Sequence, residues 1–204
     1  MKDLIIAGNS GLAHEFKWII DRINEISPTW NFLGYIDVNP APDVVGDDDF
    51  LINYDKEVYV VIGIGSPQIR RNLYEKYKVN PNIIYPNIID PSVQYSSSVK
   101  MGMGNVICAG SILTVDIVMG DFNIINLDCT VGHEAKLNDF IYVNPSVNIS
   151  GNVTIGSNSN IGTGTNIIQG INIGPNVIVG AGTVVIRDIE GNHTVVGVPA
   201  RIIK

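Results

Sequence analysis

The sequence predicts a two-part fold, a small α/β domain of Rossmann type followed by an all-β domain built as a parallel β-helix. Strand and helix signals alternate over the first 80 residues, and apolar residues then recur at every sixth position without an insertion. We expect the α/β domain over residues 1–82, a β-helix of about six coils over residues 83–189 and a C-terminal tail over residues 190–204.

The first domain is predicted from three strand signals and two helix signals. Asp3–Gly8 is a short apolar run that ends in glycine, as buried parallel strands do. The next segment has apolar residues at helical spacing and stops before Pro28. Phe32–Asp37 and Val58–Gly65 predict two more strands, and Ser66–Tyr77 predicts a second helix. This order favours a small Rossmann-type sheet.

The second domain is predicted from a period of six. Every sixth residue from Ile83 to Val185 is apolar or aromatic, and we call these the inward positions. Four residues later lies a column of mostly small or β-branched residues, which suits a narrow interior. The residue directly after an inward position is often Gly or Asn, which we interpret as tolerance of positive φ at a corner. Such a pattern predicts a parallel β-helix in which 18 residues form one three-sided coil.

This register gives His133 a defined place. His133 follows the inward position Val131 by two residues, so its side chain should lie outside the prism at a corner. Gly151 lies one coil higher on the same edge, about 4.8 Å away, and its N–H should be closely approachable. A neutral imidazole can accept a proton from an amine or hydroxyl, and an N–H can stabilise an oxyanion. The pair predicts acyl transfer, with a merely solvated corner histidine as the alternative.

Composition excludes several other classes. A net charge of -7 without a run of Lys or Arg argues against a nucleic-acid or anionic-membrane surface. No segment approaches the ~20 apolar residues of a membrane span, and the start lacks a signal-peptide pattern, so we expect a cytoplasmic protein. Two cysteines, Cys108 and Cys129, without CxxC spacing predict neither a disulfide framework nor a metal site.

Several segments together resemble the left-handed β-helix acyltransferases, and among them the sialic-acid and bacillosamine-pathway sugar acetyltransferases of NeuD/PglD type. The segments are GNSGLAHEF, YID, VIGIGSPQIRRNL, GHEAKLNDF, ISGNVTIG and VVGVPARII, and they cover essentially the whole chain. The resemblance implies left-handed coils, against the usual right-handed crossover. It also implies a homotrimer with active sites between prisms, acetyl-CoA along the prism edge, and a nucleotide-linked amino sugar on the Rossmann-like domain.

The same resemblance implies roles for individual residues. His133 is expected to be the general base with Glu134 beside it, Asn126 a polar active-site residue, and the Gly151 amide the oxyanion donor. The expected substrate-binding residues in the nucleotide loops are Gly8, Ser10, Gly11, Asp37, Gly63 and Gly65. The expected acetyl-CoA-binding residues are Tyr142, Gly151, Gly162, Thr163, Gly180 and Arg187, and no metal is expected. Arg187 lies three coils above His133 on the same edge, a distance suited to a CoA phosphate.

Two positions depart from the family's pattern. Leu12 stands where many members have a histidine, and His14, two residues later, is expected to point elsewhere, so the exact sugar nucleotide stays open. Tyr142 stands where many members have a second histidine that lines the acetyl-CoA site. Tyrosine can still donate a hydrogen bond there and pack against the pantetheine arm.

We therefore expect acetyl-CoA-dependent N-acetylation of a UDP-, GDP- or TDP-linked 4-amino-6-deoxy sugar. O-acetylation of sialic acid or another sugar is the close alternative. A non-catalytic trimeric scaffold and a γ-carbonic-anhydrase-like lyase are alternatives from other classes. The lyase needs three histidines converging on zinc, and the chain has only His14, His133 and His193. A nicotinamide dehydrogenase is disfavoured because the first domain holds only one half of a dinucleotide fold.

Overall fold

The computed structural model describes all 204 residues and divides into two compact units, Met1–Pro91 and Ser92–Lys204. This division falls after the predicted boundary at 82/83. Ile83–Ile84 forms a strand that pairs with Val58–Tyr59 in the first unit, so Ile83 is not an inward position of the β-helix. No helix in either unit has the length and apolar character that a membrane crossing needs.

The first unit has a five-stranded parallel sheet of order β3-β2-β1-β4-β5, which confirms the predicted α/β fold. Its elements are β1 Lys2–Ala7, α1 Gly11–Ile26, β2 Trp30–Ile36, β3 Val44–Gly46, α2 Asp48–Ile52, β4 Val58–Ile62, α3 Pro67–Tyr77 and β5 Ile83–Ile84, followed by the short strand β6 Ile88–Ile89.

Local sequence explains the helices of this unit. Helix α1 buries Phe16, Ile19 and Ile20, which lie at helical spacing on one face. Helix α3 begins with Pro67 at its first turn, and the Ser66 side chain accepts a hydrogen bond from Ile69 N. The short helix α2 was not predicted from the sequence.

The second unit is a left-handed parallel β-helix, as predicted. Its strands are β7 Gln94–Tyr95, β8 Lys100–Met101, β9 Val106–Ile107, β10 Ile112–Leu113, β11 Val118–Met119, β12 Ile124–Ile125, β13 Thr130–Val131, β14 Lys136–Leu137, β15 Tyr142–Val143, β16 Asn148–Ile149, β17 Thr154–Ile155, β18 Asn160–Ile161, β19 Asn166–Ile167, β20 Asn172–Ile173, β21 Ile178–Val179, β22 Val184–Val185, β23 Thr194–Val196 and β24 Arg201–Ile202.

Three parallel sheets form the three faces of the prism. Face 1 contains β7, β10, β13, β16, β19 and β22, and face 2 contains β8, β11, β14, β17 and β20. Face 3 contains β9, β12, β15, β18 and β21, and it continues into the parallel strand β23, to which β24 is added in the antiparallel direction. Leu113, Val131 and Ile149 pair in register, so each residue lies below the residue 18 positions later.

The inward positions are buried along most of the prism. Val131, Ile149 and Ile167 are 0%, 2% and 1% exposed. Tyr95 differs, with 51% of its surface exposed, because it lies on β7, the edge strand of face 1. The buried interior of the β-helix therefore begins after Tyr95 and not at Ile83, where the sequence predicted it.

The second interior column includes small polar residues that serve the backbone of the next coil. Ser111 Oγ donates to Asn126 O at 2.8 Å, and Ser159 Oγ donates to Gly174 O at 3.0 Å. In both cases the acceptor is the carbonyl 15 residues later, at the corner one coil above. These hydroxyls satisfy backbone groups that would otherwise be buried without partners.

The predicted reason for glycine directly after the inward position is wrong. Positive φ occurs two residues further on, as at Glu134 with φ 60° and Asn158 with φ 62°. A Cβ on Gly132 would instead lie 2.6 Å from Gly151 N, and one on Gly156 would lie 2.4 Å from Pro175 N. Glycine is needed at these positions because stacked corners approach each other closely.

Replacing Gly156 by alanine tests this explanation. The added Cβ would meet Pro175 N at 2.4 Å, so we expect the free energy of unfolding to fall by about 3 kcal/mol. Gly164→Ala is the control, because Gly164 has φ 69° and open space around it. Its cost should be only that of the left-handed conformation, about 1 kcal/mol. Urea unfolding of both variants measures the difference, and a larger loss for Gly164→Ala would contradict the explanation.

Candidate active site

His133 and Gly151 meet on successive coils of one corner, where face 1 turns into face 2. We call this corner, formed by the residues that follow β10, β13, β16, β19 and β22, the histidine corner. A Cβ on Gly151 would lie 2.4 Å from Nε2 of His133, so the imidazole ring rests against the glycine. The His133 side chain is 49% exposed and points outward, whereas Gly151 is buried because the ring covers it. The backbone amide of Gly151 is therefore less accessible than the sequence predicted.

Glu134 orients the imidazole. Its Oε2 lies 3.0 Å from Nδ1 of His133. Glu134 has φ 60°, and this left-handed turn at the corner lets its carboxylate reach the ring of the preceding residue. When the carboxylate accepts a hydrogen bond from Nδ1–H, the neutral ring keeps its lone pair on Nε2, the nitrogen next to Gly151. The arrangement therefore presents Nε2 as a base.

The backbone N–H of Gly151 makes no hydrogen bond within the chain. At the corner between faces 2 and 3, the equivalent N–H of Asp121 donates to the Asp139 side chain one coil above, at 2.9 Å. Gln169 occupies the corresponding place above Gly151 and makes no such bond. The Gly151 N–H is thus left to bind an acceptor from outside the chain.

Asn126 and Tyr142 form a second polar cluster where face 3 turns into face 1. We call this corner, formed by the residues that follow β9, β12, β15, β18 and β21, the amide corner. Asn126 is 4% exposed, and its Nδ2 donates to the Tyr142 hydroxyl at 2.9 Å. Its Oδ1 accepts a hydrogen bond from Leu127 N at 2.7 Å. Both ends of the Asn126 amide are therefore fixed.

The expected site residues thus divide between two corners of one chain. His133, Glu134, Gly151 and Arg187 lie on the histidine corner. Asn126, Gly162, Thr163 and Gly180 lie on the amide corner, with Tyr142 on the adjoining face 3. The structure does not bring Asn126 to His133, because the six positions between them span one whole face. Counting in sixes along the sequence would have revealed this separation.

The two glycines of the amide corner have a structural explanation. A Cβ on Gly162 would lie 2.6 Å from Ala181 N, and one on Gly180 would lie 2.7 Å from Val196 Cγ1. Close backbone stacking therefore requires glycine at 162 whether or not a ligand binds there, whereas a side chain at 180 would have to displace the Val196 methyl group.

Arg187 lines a cavity of about 610 Å³ at the end of the prism, between residues 186–190 and strands β23 and β24. Arg201, for which the sequence predicted no role, lines the same cavity. Nδ1 of His193 lies 3.1 Å from Glu190 O and 3.0 Å from Gly191 O, so it donates to these carbonyls. Asp188 and Glu190 also line the cavity, so its charges are mixed.

The expected nucleotide loops follow the carboxyl ends of three neighbouring strands. Gly8 follows β1, Asp37 follows β2 and Gly63 follows β4, so these residues share one edge of the sheet. Ser10 and Gly11 begin α1, where the first backbone N–H groups have no helical partner. Gly8 has φ 103°, and a Cβ there would lie 2.7 Å from Ile64 Cδ1.

Arg70 holds the loop that contains Gly63 and Gly65. It is 1% exposed, and its Nη1 donates to Ile64 O at 2.8 Å and to Gly65 O at 3.1 Å. In the sequence this arginine stands out only as part of the segment VIGIGSPQIRRNL. Its position five residues after Gly65 was the available signal for this role.

His14, in the first turn of α1, lies near the same edge of the sheet. Its Nε2 is 2.8 Å from Asn9 Oδ1, and its ring centroid is 5.0 Å from that of Tyr35. Burial raises the pKa of Tyr35, and the nearby Asp43 and Asp21 raise it further. The Tyr35 phenol therefore stays protonated at neutral pH.

The cysteines offer no nucleophile. Cys108 and Cys129 are both buried and unpaired. Burial raises the pKa of the Cys129 thiol to about 11, so it is not a thiolate at neutral pH. No group of three or more His, Cys, Asp or Glu side chains is arranged to hold a metal ion.

The chain is similar to several proteins of solved structure, acetyltransferases among them. Residues 3–77 match the PglD N-terminal domain family. The structure of the acetyltransferase domain of PglB from Neisseria gonorrhoeae is 27% identical, with full coverage of both chains and a TM-score of 0.92, and this domain has also been solved with acetyl coenzyme A. PerB from Caulobacter crescentus, in complex with CoA and GDP-perosamine, is 31% identical over 99% of this chain and 97% of its own, with a TM-score of 0.89. WeeI from Acinetobacter baumannii is 26% identical, with full coverage of both chains and a TM-score of 0.83. No curated protein sequence matches the chain.

Replacing Arg70 by methionine should loosen the loop at Gly63–Gly65. Two carbonyls would lose their donor, so we expect the free energy of unfolding to fall by about 3 kcal/mol. Amide hydrogen exchange in the loop should also become faster. Arg71→Met, at a half-buried position on the same helix, is the control. Unchanged exchange in the loop of Arg70→Met would contradict the assigned role.

Proposed function

Because this chain belongs to the PglD-type family of hexapeptide-repeat sugar acetyltransferases, we propose that it transfers the acetyl group of acetyl-CoA to an amine of a nucleotide-linked sugar. The observation that carries the proposal is the His133 ring against Gly151, whose N–H has no acceptor in the chain. PglB with acetyl coenzyme A and PerB with CoA and GDP-perosamine support the donor and the class of acceptor.

In the proposed reaction, Nε2 of His133 accepts a proton from the sugar amine as the amine nitrogen attacks the thioester carbonyl carbon. Glu134 accepts a hydrogen bond from Nδ1–H and stabilises the imidazolium that forms. The Gly151 N–H donates to the carbonyl oxygen as negative charge develops on it. The C–S bond then breaks with its electron pair on sulfur, and the imidazolium returns the proton to the CoA thiolate.

The acceptor's nucleotide is assigned to the loops of the first unit. Gly8–Gly11 leads into the N-terminus of α1, whose free N–H groups and dipole favour a phosphate. Asp37 lies at the end of the neighbouring strand, where it can accept a hydrogen bond from a ribose hydroxyl or a base. O-acetylation of sialic acid or another sugar is the second candidate, because the same base can activate a hydroxyl.

A homotrimer would complete the site. The histidine corner has the base and the oxyanion donor, and the amide corner has the fixed Asn126–Tyr142 pair. Because one chain keeps these corners a full face apart, we propose that the histidine corner of one protomer faces the amide corner of the next. Acetyl-CoA would bind between them, with Arg187 near its phosphates.

A thiol-release assay tests the proposed function. We expect release of CoA from acetyl-CoA with at least one UDP-, GDP- or TDP-linked 4-amino-6-deoxy sugar, and none with the matching 4-hydroxy sugar or with sialic acid. His133→Ala should lower kcat by about 100-fold or more. The melting temperature should not change, because this side chain is half exposed. Lys136→Ala, at an exposed position on face 2, is the control.

Failure of every amino sugar in this panel would contradict the proposal. Turnover of a hydroxyl acceptor in place of an amine would favour the O-acetyltransferase. Undiminished turnover by His133→Ala would reject His133 as the base.

Mixing two inactive variants tests the trimer. His133→Ala removes the base from one corner, and Asn126→Ala removes the amide from the other. Refolding the two together at equal amounts should restore about one quarter of wild-type activity, since a quarter of the sites would combine two intact corners. Each variant refolded alone is the control. Absence of any recovery in mixed trimers would show that both residues must come from one chain.

A further inference from the structure

The histidine corner continues above Gly151 with a repeated pair of residues. The coil above has Ile168 and Gln169 at this corner, and the next coil has Ile186 and Arg187. Ile168 is 45% exposed and Ile186 is 40% exposed. Single exposed isoleucines are common on protein surfaces. Here two of them are stacked, each beside a polar side chain, along the line that begins at the base.

Gln169 makes no hydrogen bond within the chain, through either its side-chain amide or its backbone N–H. It is exposed in the isolated chain and lies directly above Gly151 in the 18-residue register. Stacked strands are about 4.8 Å apart, so the two corner residues differ in height by about this distance. The hydrogen-bonding groups of Gly151 and Gln169, on two successive coils, are therefore separated by about this distance along the corner.

The acyl donor has polar groups at a matching interval. In acetyl-CoA, four single bonds separate the thioester carbonyl carbon from the nearest amide nitrogen, a span of roughly 5–6 Å when extended. A carbonyl bound at the Gly151 N–H would therefore place this amide next to Gln169. The methylene groups of the arm would lie against Ile168 and Ile186, whose exposed surface suits them.

We propose that Gln169 is a specificity residue that binds the amide of the pantetheine arm nearest to the thioester. This inference rests on the proposed use of acetyl-CoA. The side-chain amide of glutamine can both donate to the arm's carbonyl and accept from its N–H, as two peptide groups do in a sheet. Its role is to set the height of the thioester carbonyl relative to Gly151 and His133.

Equilibrium binding tests this proposal without an acceptor sugar. Calorimetric titrations would compare CoA, 4′-phosphopantetheine and 3′-phosphoadenosine 5′-phosphate on the full-length protein. We expect Gln169→Ala to weaken CoA and 4′-phosphopantetheine by the same factor, about five- to tenfold, as the loss of one or two hydrogen bonds would. Binding of 3′-phosphoadenosine 5′-phosphate, which lacks the arm, should not change. Gln94→Ala, at an exposed position on face 1, should change none of the three affinities.

A kinetic comparison locates the contact on the arm. S-acetyl-N-acetylcysteamine retains the nearest amide, whereas S-butyl thioacetate has none. Gln169→Ala should lower kcat/KM for the first by about the factor seen with acetyl-CoA and leave the second unchanged. An equal loss on both thioesters would overturn the proposal, because it would indicate a general structural effect.

The outcomes separate this inference from the proposed function. If the wild type binds CoA and Gln169→Ala binds it equally well, the inference fails while the proposed function stands. If the wild type binds no CoA, both fail. If Gln169→Ala weakens the binding of 3′-phosphoadenosine 5′-phosphate but not that of 4′-phosphopantetheine, Gln169 contacts the nucleotide end of CoA and the inference fails alone.

Discussion

The vertical register of the coils is the constraint on which the rest of the structure depends. Hydrogen bonds between parallel strands hold Val131 below Ile149 and Ile149 below Ile167. The spatial neighbour of a residue is therefore the one 18 positions away, at a height fixed near 4.8 Å by the sheet. One inserted residue between His133 and Gly151 would move the two off the same line. The geometry of the proposed site is thus a property of the repeat and needs no special loop.

The interior and the corners make this register unambiguous. Ser111 and Ser159 donate to carbonyls one coil above, so a slipped coil would leave buried polar groups without partners. Gly132 allows the next corner to approach, and Gly151 leaves room for the ring below it. The same closeness explains why the imidazole lies against a backbone amide. Glu134, in its left-handed turn, then fixes which nitrogen faces that amide.

Much of this could be predicted from the sequence, because with a period of six the number of a residue gives its location on the prism. It put His133 outside the prism and one coil below Gly151. The period of six could not predict contacts that depend on the folded backbone. Examples are the hydrogen bonds of Arg70 to Ile64 and Gly65, and the place of Arg201 beside Arg187 in one cavity. Positive φ was assigned to the wrong corner residue because glycine is favoured both by turns and by close packing. The domain boundary was misplaced because Ile83 fits the period of six yet pairs in the first sheet.

The central claim is that the imidazole of His133 rests on Gly151 with its proton on Nδ1. Nuclear magnetic resonance of protein labelled at histidine and glycine tests it directly. We expect the neutral ring to be the Nδ1–H tautomer, together with a strong Overhauser effect between the ring protons of His133 and the α-protons of Gly151. A ring that is protonated on Nε2, or that shows no proximity to Gly151, would contradict it.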